Sequence, residues 1–419
     1  MSKGIARNRA RRMVSLDSFN KTLQPDATAD KRFIIPPGEL HVFHIWTLLP
    51  ELYVLFRFIR PLTAPLPAKI AAAGVMLVAS EFHLITKLFT GNMFSPEIPK
   101  PLLLLTTWLF GITLFMAALL VLRDIFGMVL QLVSGRQLKW HTALWFILPA
   151  VAAILATQGL KNGTAPPEVK KIALTLRGLP PHFEGYRIVQ LTDLHASRLL
   201  PRSWIQDVVA RTLELDADMV VVTGDMIDGW PDARFSDIEP LGQLRARDGV
   251  FAVTGNHEYY FDAENWIQTF EKLGLNFLNN AGYRVSRDGD SLYLAGVTDA
   301  VAPSYGLPGP DLAQALKSSR PGETVILLDH RPENAALAAE RGVSLQLSGH
   351  THGGMIAGLD RLAAPANNGF VSGLYAEGSL ALYVSNGSGI WNGFPFRLGK
   401  SSEIALITLH GETSNMIVE

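Results

Sequence analysis

The chain has 419 residues, of which 48% are hydrophobic and 18% are charged, and its mean hydropathy is +0.19. A soluble protein carries about 25% charged residues, so this composition predicts a membrane part joined to a soluble part. The chain has no cysteine, which excludes disulfides, a thiolate nucleophile and Cys-ligated zinc. A net charge of −1 gives no overall positive field, so nucleic acid is not expected as a partner.

Residues 40–160 are predicted to form a transmembrane helical region of three or four spans. Two runs without a charge, 101–122 and 142–160, are long enough to cross a bilayer as helices. The run 70–90 is a third candidate, although polar and charged side chains interrupt it. The run 40–60 is a fourth and weaker one. Three spans, with 40–60 on the inner surface, account best for the charges in the loops.

The distribution of Lys and Arg predicts the orientation of these spans. The N-terminal tail, residues 1–39, is basic and is expected to stay in the cytoplasm. Three spans place the other basic loop residues on the same side: Arg57, Arg60, Lys69, Arg123, Arg136 and Lys139. Because Lys and Arg collect in cytoplasmic loops, the catalytic domain is expected on the outer face. Residues 161–182 are polar, carry Gly and a Pro pair, and are predicted to be a linker.

From residue 183 to 419 short apolar runs alternate with amphipathic segments, which predicts an α/β domain. Strands are expected at 187–192, 219–224, 250–255, 292–297, 324–329, 344–349, 380–385 and 403–409. Helices are expected near 202–215, 263–274 and 332–341. Several of the strands are apolar throughout, as expected for a sheet that is covered on both faces.

Metal-binding side chains follow five of these strands, in the segments LTDLH, VTGDMID, VTGNHE, VILLDH and LSGHTHGG. They are Asp193, His195, Asp225, Asn256, His257, His330, His350 and His352. A rigid sheet directs the loops at its strand ends towards one crevice, so we expect these side chains to converge. Carboxylate, amide and imidazole groups together suit manganese, iron or zinc. The number of potential ligands exceeds what one open catalytic site needs, which favours two metals.

In this order, these motifs resemble those of the calcineurin-like metallophosphoesterase family. The resemblance covers roughly residues 185–410 and is greatest with a bacterial branch whose catalytic domain follows membrane segments. It implies a four-layer α/β/β/α sandwich, preceded here by an N-terminal transmembrane helical region. It also implies a phosphoester substrate and a place in the bacterial cytoplasmic membrane.

The resemblance further implies a role for each of the strand-end residues. One divalent metal is held by Asp193, His195 and His352, and the other by Asn256, His330 and His350. Asp225 bridges the two metals, and a hydroxide shared between them attacks phosphorus. His257 is not a ligand and is the catalytic residue, which stabilises the transition state and protonates the leaving oxygen. Manganese is the expected metal, with iron or zinc as alternatives.

These observations favour a membrane-anchored phosphoesterase with two divalent metal ions, acting on envelope or lipid-linked phosphoesters. One alternative is a nucleotide-lipid pyrophosphatase, of the type that cleaves UDP-diacylglucosamine, on the cytoplasmic face. Another is a membrane sensor whose phosphoesterase-like domain binds a ligand without hydrolysing it. The complete ligand set argues against the sensor. A nuclease is disfavoured because no basic stripe with interleaved aromatics accompanies the site.

Overall fold

The computed structural model describes residues 37–90, 93–135 and 142–412. The basic tail predicted over residues 1–39 lies outside them, except for its last three residues, which begin the first helix. Within these residues, five helices precede the first strand: α1 (Pro37–Val54, continued by a π-helical turn over Leu55–Ile59), α2 (Leu66–Ser80), α3 (Phe82–Thr90), α4 (Lys100–Ser134) and α5 (Leu144–Thr164). We call these helices the membrane half, after the candidate membrane spans among them.

Two of these helices, α4 and α5, are each long and apolar enough to cross a membrane. Helices α2 and α3 meet the same criterion only as a pair that is bent by 63°, so together they form one broken span or a re-entrant segment. The described residues therefore contain two or three candidate spans. Helix α1 does not meet the criterion.

Two six-stranded sheets follow, and all eight predicted strands are found in them. The first sheet has the order β1-β12-β2-β3-β4-β5, with bounds Glu168–Leu176, Glu403–Gly411, Tyr186–Leu191, Met219–Thr223, Val250–Val253 and Asn276–Phe277. The second sheet has the order β10-β11-β9-β8-β7-β6, with bounds Gly373–Glu377, Leu380–Val384, Leu345–Ser348, Thr324–Leu328, Asp290–Gly296 and Ala281–Arg287.

The sheets pack face to face and helices cover their outer faces, which confirms the four-layer α/β/β/α sandwich. Between the sheets, side chains such as Val221 and Phe251 meet Leu294 and Ile326 in a buried layer. The first sheet is covered by α6 (Arg202–Glu214), α7 (Pro231–Ile238) and α9 (Ala263–Lys272), and the second by α10 (Leu312–Ala315) and α11 (Ala335–Glu340). Two short helices, α8 (Asn256–Tyr260) and α12 (Asp360–Ala363), lie in loops.

The prediction of a linker over residues 161–182 is wrong. Helix α5 continues to Thr164, and β1 begins at Glu168 and pairs in parallel with β12 along its whole length. The catalytic domain therefore begins at residue 168 and not at 183. The strand was missed because it lies at the edge of its sheet, where most of its side chains face water and only Leu174 and Leu176 are buried.

The membrane half and the catalytic domain share one hydrophobic core. The loop of residues 391–398 packs between α4 and α5, and the fully buried ring of Phe396 lies against Gly111 and Gly159. A Cβ atom on Gly163 would lie 2.4 Å from the carbonyl oxygen of Pro395. Because small residues let a helix approach a neighbouring backbone closely, these three glycines permit the catalytic domain to dock on the bundle.

Gly163→Ala is expected to lower the thermal unfolding midpoint of the detergent-solubilised protein. The new methyl group meets the backbone of the docked loop, and overpacking of this kind costs about 1–3 kcal/mol. Gly74→Ala is the matched control, because Gly74 lies in α2 and a Cβ atom there meets nothing within 4 Å. That control is expected to be neutral or slightly stabilising. Equal midpoints for the two variants would contradict the docking arrangement.

Candidate metal centre

The strand-end residues converge at one edge of the sandwich. Asp193 and His195 follow β2, Asp225 follows β3, and Asn256 and His257 open α8 just after β4. The second sheet contributes the other three histidines: His330 follows β8, and His350 and His352 follow β9. Three groups of potential ligand atoms result, each within 4.8 Å of one another. The first cluster is Asp193 with His195 and His352, the second is Asp225 with His330 and His350, and a further group joins His195 with Asp225 and His257.

Distances within the clusters place Asp225 between them. In the first cluster, Nε2 of His352 lies 3.2 Å from Nε2 of His195 and 3.6 Å from Oδ1 of Asp193. In the second, Oδ2 of Asp225 lies 3.3 Å from Nε2 of His330. The same oxygen is 3.7 Å from Nε2 of His195, so Asp225 faces both clusters.

The donor set fits divalent metal ions. Nδ1 of His330 lies 2.7 Å from the carbonyl oxygen of Thr223 and donates to it, so in the neutral ring Nε2 presents its lone pair to the cluster. The Oδ1 atom of Asn256 is buried and accepts no hydrogen bond from any residue that the structure describes. Leaving such an oxygen unsatisfied costs about 1–3 kcal/mol. A cation bound by Oδ1 of Asn256 and Nε2 of His330 would remove this cost.

Backbone strain is concentrated at the same residues. Among the described part of the chain, eleven residues other than glycine have a positive φ, and five of them are Asp193, His195, Asp225, His350 and His352. Such angles are unfavourable for residues with a side chain and persist where surrounding contacts enforce them. Here all five strained residues belong to the set that converges at the strand ends.

Two of the motif glycines are required by the close approach of carboxylates. A Cβ atom on Gly255 would lie 2.3 Å from Oδ1 of Asp225, and one on Gly349 would lie 2.4 Å from Oδ2 of Asp193. Both distances are far below van der Waals contact. The glycine before Asn256 and the glycine before His350 therefore leave room for the acidic side chains.

Asp228 orients two of the histidines. Its Oδ1 atom accepts from Nδ1 of His195 at 2.9 Å and from Nδ1 of His257 at 2.6 Å. Each ring therefore turns its Nε2 atom towards Asp225, at 3.7 Å and 4.0 Å. The other oxygen of Asp228 accepts from the backbone and side-chain amides of Asn392. Asp228 thus fixes the orientation of both imidazoles and is itself held by Asn392.

Comparison with known proteins identifies the family. A family model for the calcineurin-like phosphoesterases matches residues 186–354. An uncharacterised metallophosphoesterase from Campylobacter jejuni is 31% identical over 295 residues, which is 69% of this chain and 76% of that protein. The chain belongs to the calcineurin-like metallophosphoesterase family.

Two further comparisons concern a membrane relative and a solved structure. A transmembrane protein with a metallophosphoesterase domain from Danio rerio is 37% identical over 268 residues, covering 62% of this chain. The chain spans about three fifths of the length of that vertebrate relative, 61%. The crystal structure of a dimetal phosphatase from Danio rerio aligns with a TM-score of 0.33 at 14% identity, over 49% of this chain and 88% of that one.

Electrostatics in this metallophosphoesterase follow from the burial of its acidic groups. Burial raises the pKa of Asp225, but the charges of His330 and His257 outweigh it and hold the pKa well below its usual range. Burial lowers the pKa of His257, whereas Asp225 and Asp228 together raise it to about 9. Asp225 therefore attracts positive charge strongly, whereas burial raises the pKa of Asp193. His257 carries a proton at neutral pH.

Glu258 is a structural part of the metallophosphoesterase site that sequence reasoning missed. Its carboxylate accepts from the backbone N–H groups of Asp225, Met226 and Gly255 at 2.7–3.0 Å, and so ties the loops after β3 and β4 together. Burial raises its pKa to about 7. In the sequence, only the position of Glu258 directly after Asn256 and His257 indicated that it belongs to the site.

Arg397, in the loop of residues 391–398, is a buried cation beside the site. The guanidinium is 1% exposed. It donates to the carbonyl oxygens of His352 at 3.1 Å, Asn386 at 2.6 Å and Gly389 at 2.9 Å. Because its own backbone N–H donates to Gly159 of α5, Arg397 connects the loop of a candidate metal ligand to the membrane half.

The loop of residues 93–99, between α3 and α4, also reaches the site from the membrane half. The hydroxyl of Ser95 donates to the backbone carbonyl oxygen of Asp228 at 3.0 Å. The side-chain amide of Asn392 donates to the backbone carbonyl oxygen of Phe94 at 2.8 Å. Glu97 holds the loop through ion pairs with two arginines of the catalytic domain, Arg198 and Arg234. No local motif predicted this contact, because the partners lie more than 100 residues apart in the chain.

Asp228→Asn is expected to lower turnover of a phosphodiester about 10–100-fold, the usual effect of removing a group that orients a metal ligand. The amide cannot accept from both imidazoles as the carboxylate does, so His195 and His257 lose their fixed orientation. Steady-state kinetics and the metal content per chain measure the effect. Asp290→Asn is the control, because Asp290 pairs with His182 at the surface. Unchanged turnover and metal content in Asp228→Asn would contradict the orienting role.

Proposed function

We propose that this protein hydrolyses phosphoesters with the help of two divalent metal ions. The observation that carries the proposal is the position of Asp225, whose Oδ2 atom lies within 4 Å of imidazole nitrogens from both clusters. A single carboxylate shared by two ligand clusters is the arrangement that holds two cations close enough to act on one phosphate group.

The proposed ligands divide between the two sites as the clusters do. Asp193, His195 and His352 hold one cation, Asn256, His330 and His350 hold the other, and Asp225 is shared. When bound, the two cations activate a water nucleophile and neutralise the charge on the phosphate. Manganese fits this mixture of oxygen and nitrogen donors, as do iron and zinc.

His257 is proposed to act as the general acid. Its Nδ1 atom donates to Asp228, and its Nε2 atom faces Asp225. The neighbouring carboxylates keep it protonated at neutral pH. A proton held at Nε2 on the edge of the centre is placed to be transferred to the leaving oxygen of the substrate.

We further propose that the substrate is a lipid-linked or other envelope phosphoester. The support is that the site and the membrane half are one structure: the loops 93–99 and 391–398 join α3, α4 and α5 to the residues around Asp228 and His352. A catalytic centre fixed at a bilayer surface meets amphiphilic substrates at high local concentration.

The charges at the far end of the bundle support an outer-face location for the catalytic domain in a bacterial cytoplasmic membrane. Helix α4 begins beside the catalytic domain, where Lys100 donates to the carbonyl oxygen of Leu199. About 35 Å further along α4, Asp124 pairs with Arg57 and Arg123. Lys and Arg collect on the cytoplasmic side, so this end is assigned to the inside.

Asp225→Asn is expected to abolish hydrolysis of bis(p-nitrophenyl) phosphate by the detergent-solubilised protein supplied with manganese, and to lose at least one metal per chain. His350→Ala is expected to behave in the same way. His257→Ala is expected to reduce turnover by about 10²–10⁴-fold while metal content is retained, because it removes a proton donor and no ligand. Normal turnover in Asp225→Asn would contradict the two-metal proposal.

The orientation can be tested with single cysteines, because the native chain has none. Ser304, on the catalytic domain, and Ser134, at the end of α4, are both exposed. In intact cells, a membrane-impermeant maleimide is expected to label Ser304→Cys, and to label Ser134→Cys only after permeabilisation. The reverse pattern would place the catalytic domain in the cytoplasm and favour the nucleotide-lipid pyrophosphatase.

A further inference from the structure

Four aromatic side chains form a row of ring contacts that starts beside His257 of the candidate metal centre. We call this group the aromatic wall: Phe94, Tyr260, Tyr305 and Trp391. The rings of Phe94 and Tyr260 are stacked, with centroids 5.5 Å apart and planes inclined by 16°. Trp391 lies 5.9 Å from Phe94, and Tyr305 lies 6.1 Å from Tyr260. All four side chains are partly exposed.

The aromatic wall begins at His257, the proposed general acid. The imidazole centroid lies 5.0 Å from the ring of Tyr260 and 5.6 Å from that of Phe94. A phosphoester whose phosphate lies at the metal centre therefore has one ester group within reach of the wall. Aromatic rings provide a large apolar surface at low conformational cost and bind apolar groups well.

Phe94 joins this wall to the membrane half. It belongs to the loop that follows α3, and near the end of that helix Leu88 and Phe89 are 74% and 85% exposed. Exposed side chains of this kind on a membrane bundle are suited to contact lipid. Because only four residues separate Phe89 from Phe94, the wall lies within about 18 Å of this lipid-contacting end of α3.

We propose that the aromatic wall binds the apolar ester group of an amphiphilic phosphoester that enters from the bilayer beside α3. This assignment rests on the proposed phosphoester hydrolysis and adds to it a binding site for the lipid part. The exposed Leu88 and Phe89 favour a lipid over a nucleoside ester, because a water-soluble nucleoside has no need of an apolar helix end beside the entrance.

Two p-nitrophenyl diesters that differ only in their second ester group, hexadecyl or ethyl, test the proposal on the manganese-loaded full chain in mixed micelles. The wild type is expected to prefer the hexadecyl ester. Phe94→Ala is expected to lower kcat/KM for the hexadecyl ester about tenfold, because half of the stacked pair is lost. The ethyl ester should change less than about twofold, and the metal content should stay the same.

Binding separates failure of this proposal from failure of the proposed hydrolysis. Calorimetric titration with hexadecylphosphonate and ethylphosphonate needs no turnover, and Phe94→Ala is expected to weaken only the first. If neither diester is cleaved but this selective loss of binding is seen, the proposed role of the aromatic wall is supported and the proposed hydrolysis is contradicted. If both diesters are cleaved and Phe94→Ala affects them equally or not at all, the proposed role of the aromatic wall is contradicted and the proposed hydrolysis is supported. A wild-type preference for p-nitrophenyl thymidine 5′-phosphate over the hexadecyl ester would also overturn the lipid assignment.

Entry from the bilayer is tested with the hexadecyl ester embedded in phosphatidylcholine vesicles that contain the reconstituted protein. Phe89→Ser is expected to raise KM at least threefold in vesicles and to leave the ethyl ester unaffected. Phe146→Ser is the matched control, because Phe146 is 79% exposed and lies in the first turn of α5, at the opposite end of that helix from the docked loop. Equal effects of the two variants would contradict entry beside α3.

Discussion

Asp193 and Asp225 lie shielded from water at the ends of neighbouring strands, and the basic side chains that the structure places within 4 Å of them are imidazoles. A buried carboxylate without a cation costs several kcal/mol, and Arg397, the nearby guanidinium, donates to carbonyl oxygens instead. Nδ1 of His330 donates to the carbonyl oxygen of Thr223, and Nε2 of the same ring faces Asp225. The site is therefore a set of lone pairs and negative charges that needs positive ions at its centre.

Much of the surrounding structure serves to hold these groups against their repulsion. Positive φ angles, glycines without a Cβ atom and the carboxylate of Glu258 all fix the loops after β2, β3, β4 and β9. The membrane half contributes as well: Arg397 joins the His352 loop to α5, and Ser95 bonds the carbonyl of Asp228. The bundle is thus part of the framework of the candidate metal centre.

The sequence was sufficient to predict the fold and the residues that converge. Apolar runs mark strands that are buried on both faces, and polar side chains directly after them must lie at one edge of the sheets. Edge strand β1 was missed because its exposed lysines, Lys170 and Lys171, resemble those of a linker. Phe94 could not be predicted, since its relation to His257 depends on how the membrane half docks. The burial of Arg397 could not be predicted either, because it also depends on how the membrane half docks.

The most direct test of the account is a manganese titration of the metal-stripped full chain in detergent, followed by electron paramagnetic resonance. Because Asp225 faces both clusters, two Mn²⁺ ions should bind per chain, and the second should convert the spectrum of an isolated ion into that of an exchange-coupled pair. Saturation at one Mn²⁺ per chain, or two ions without magnetic coupling, would contradict a shared carboxylate at the centre of the site.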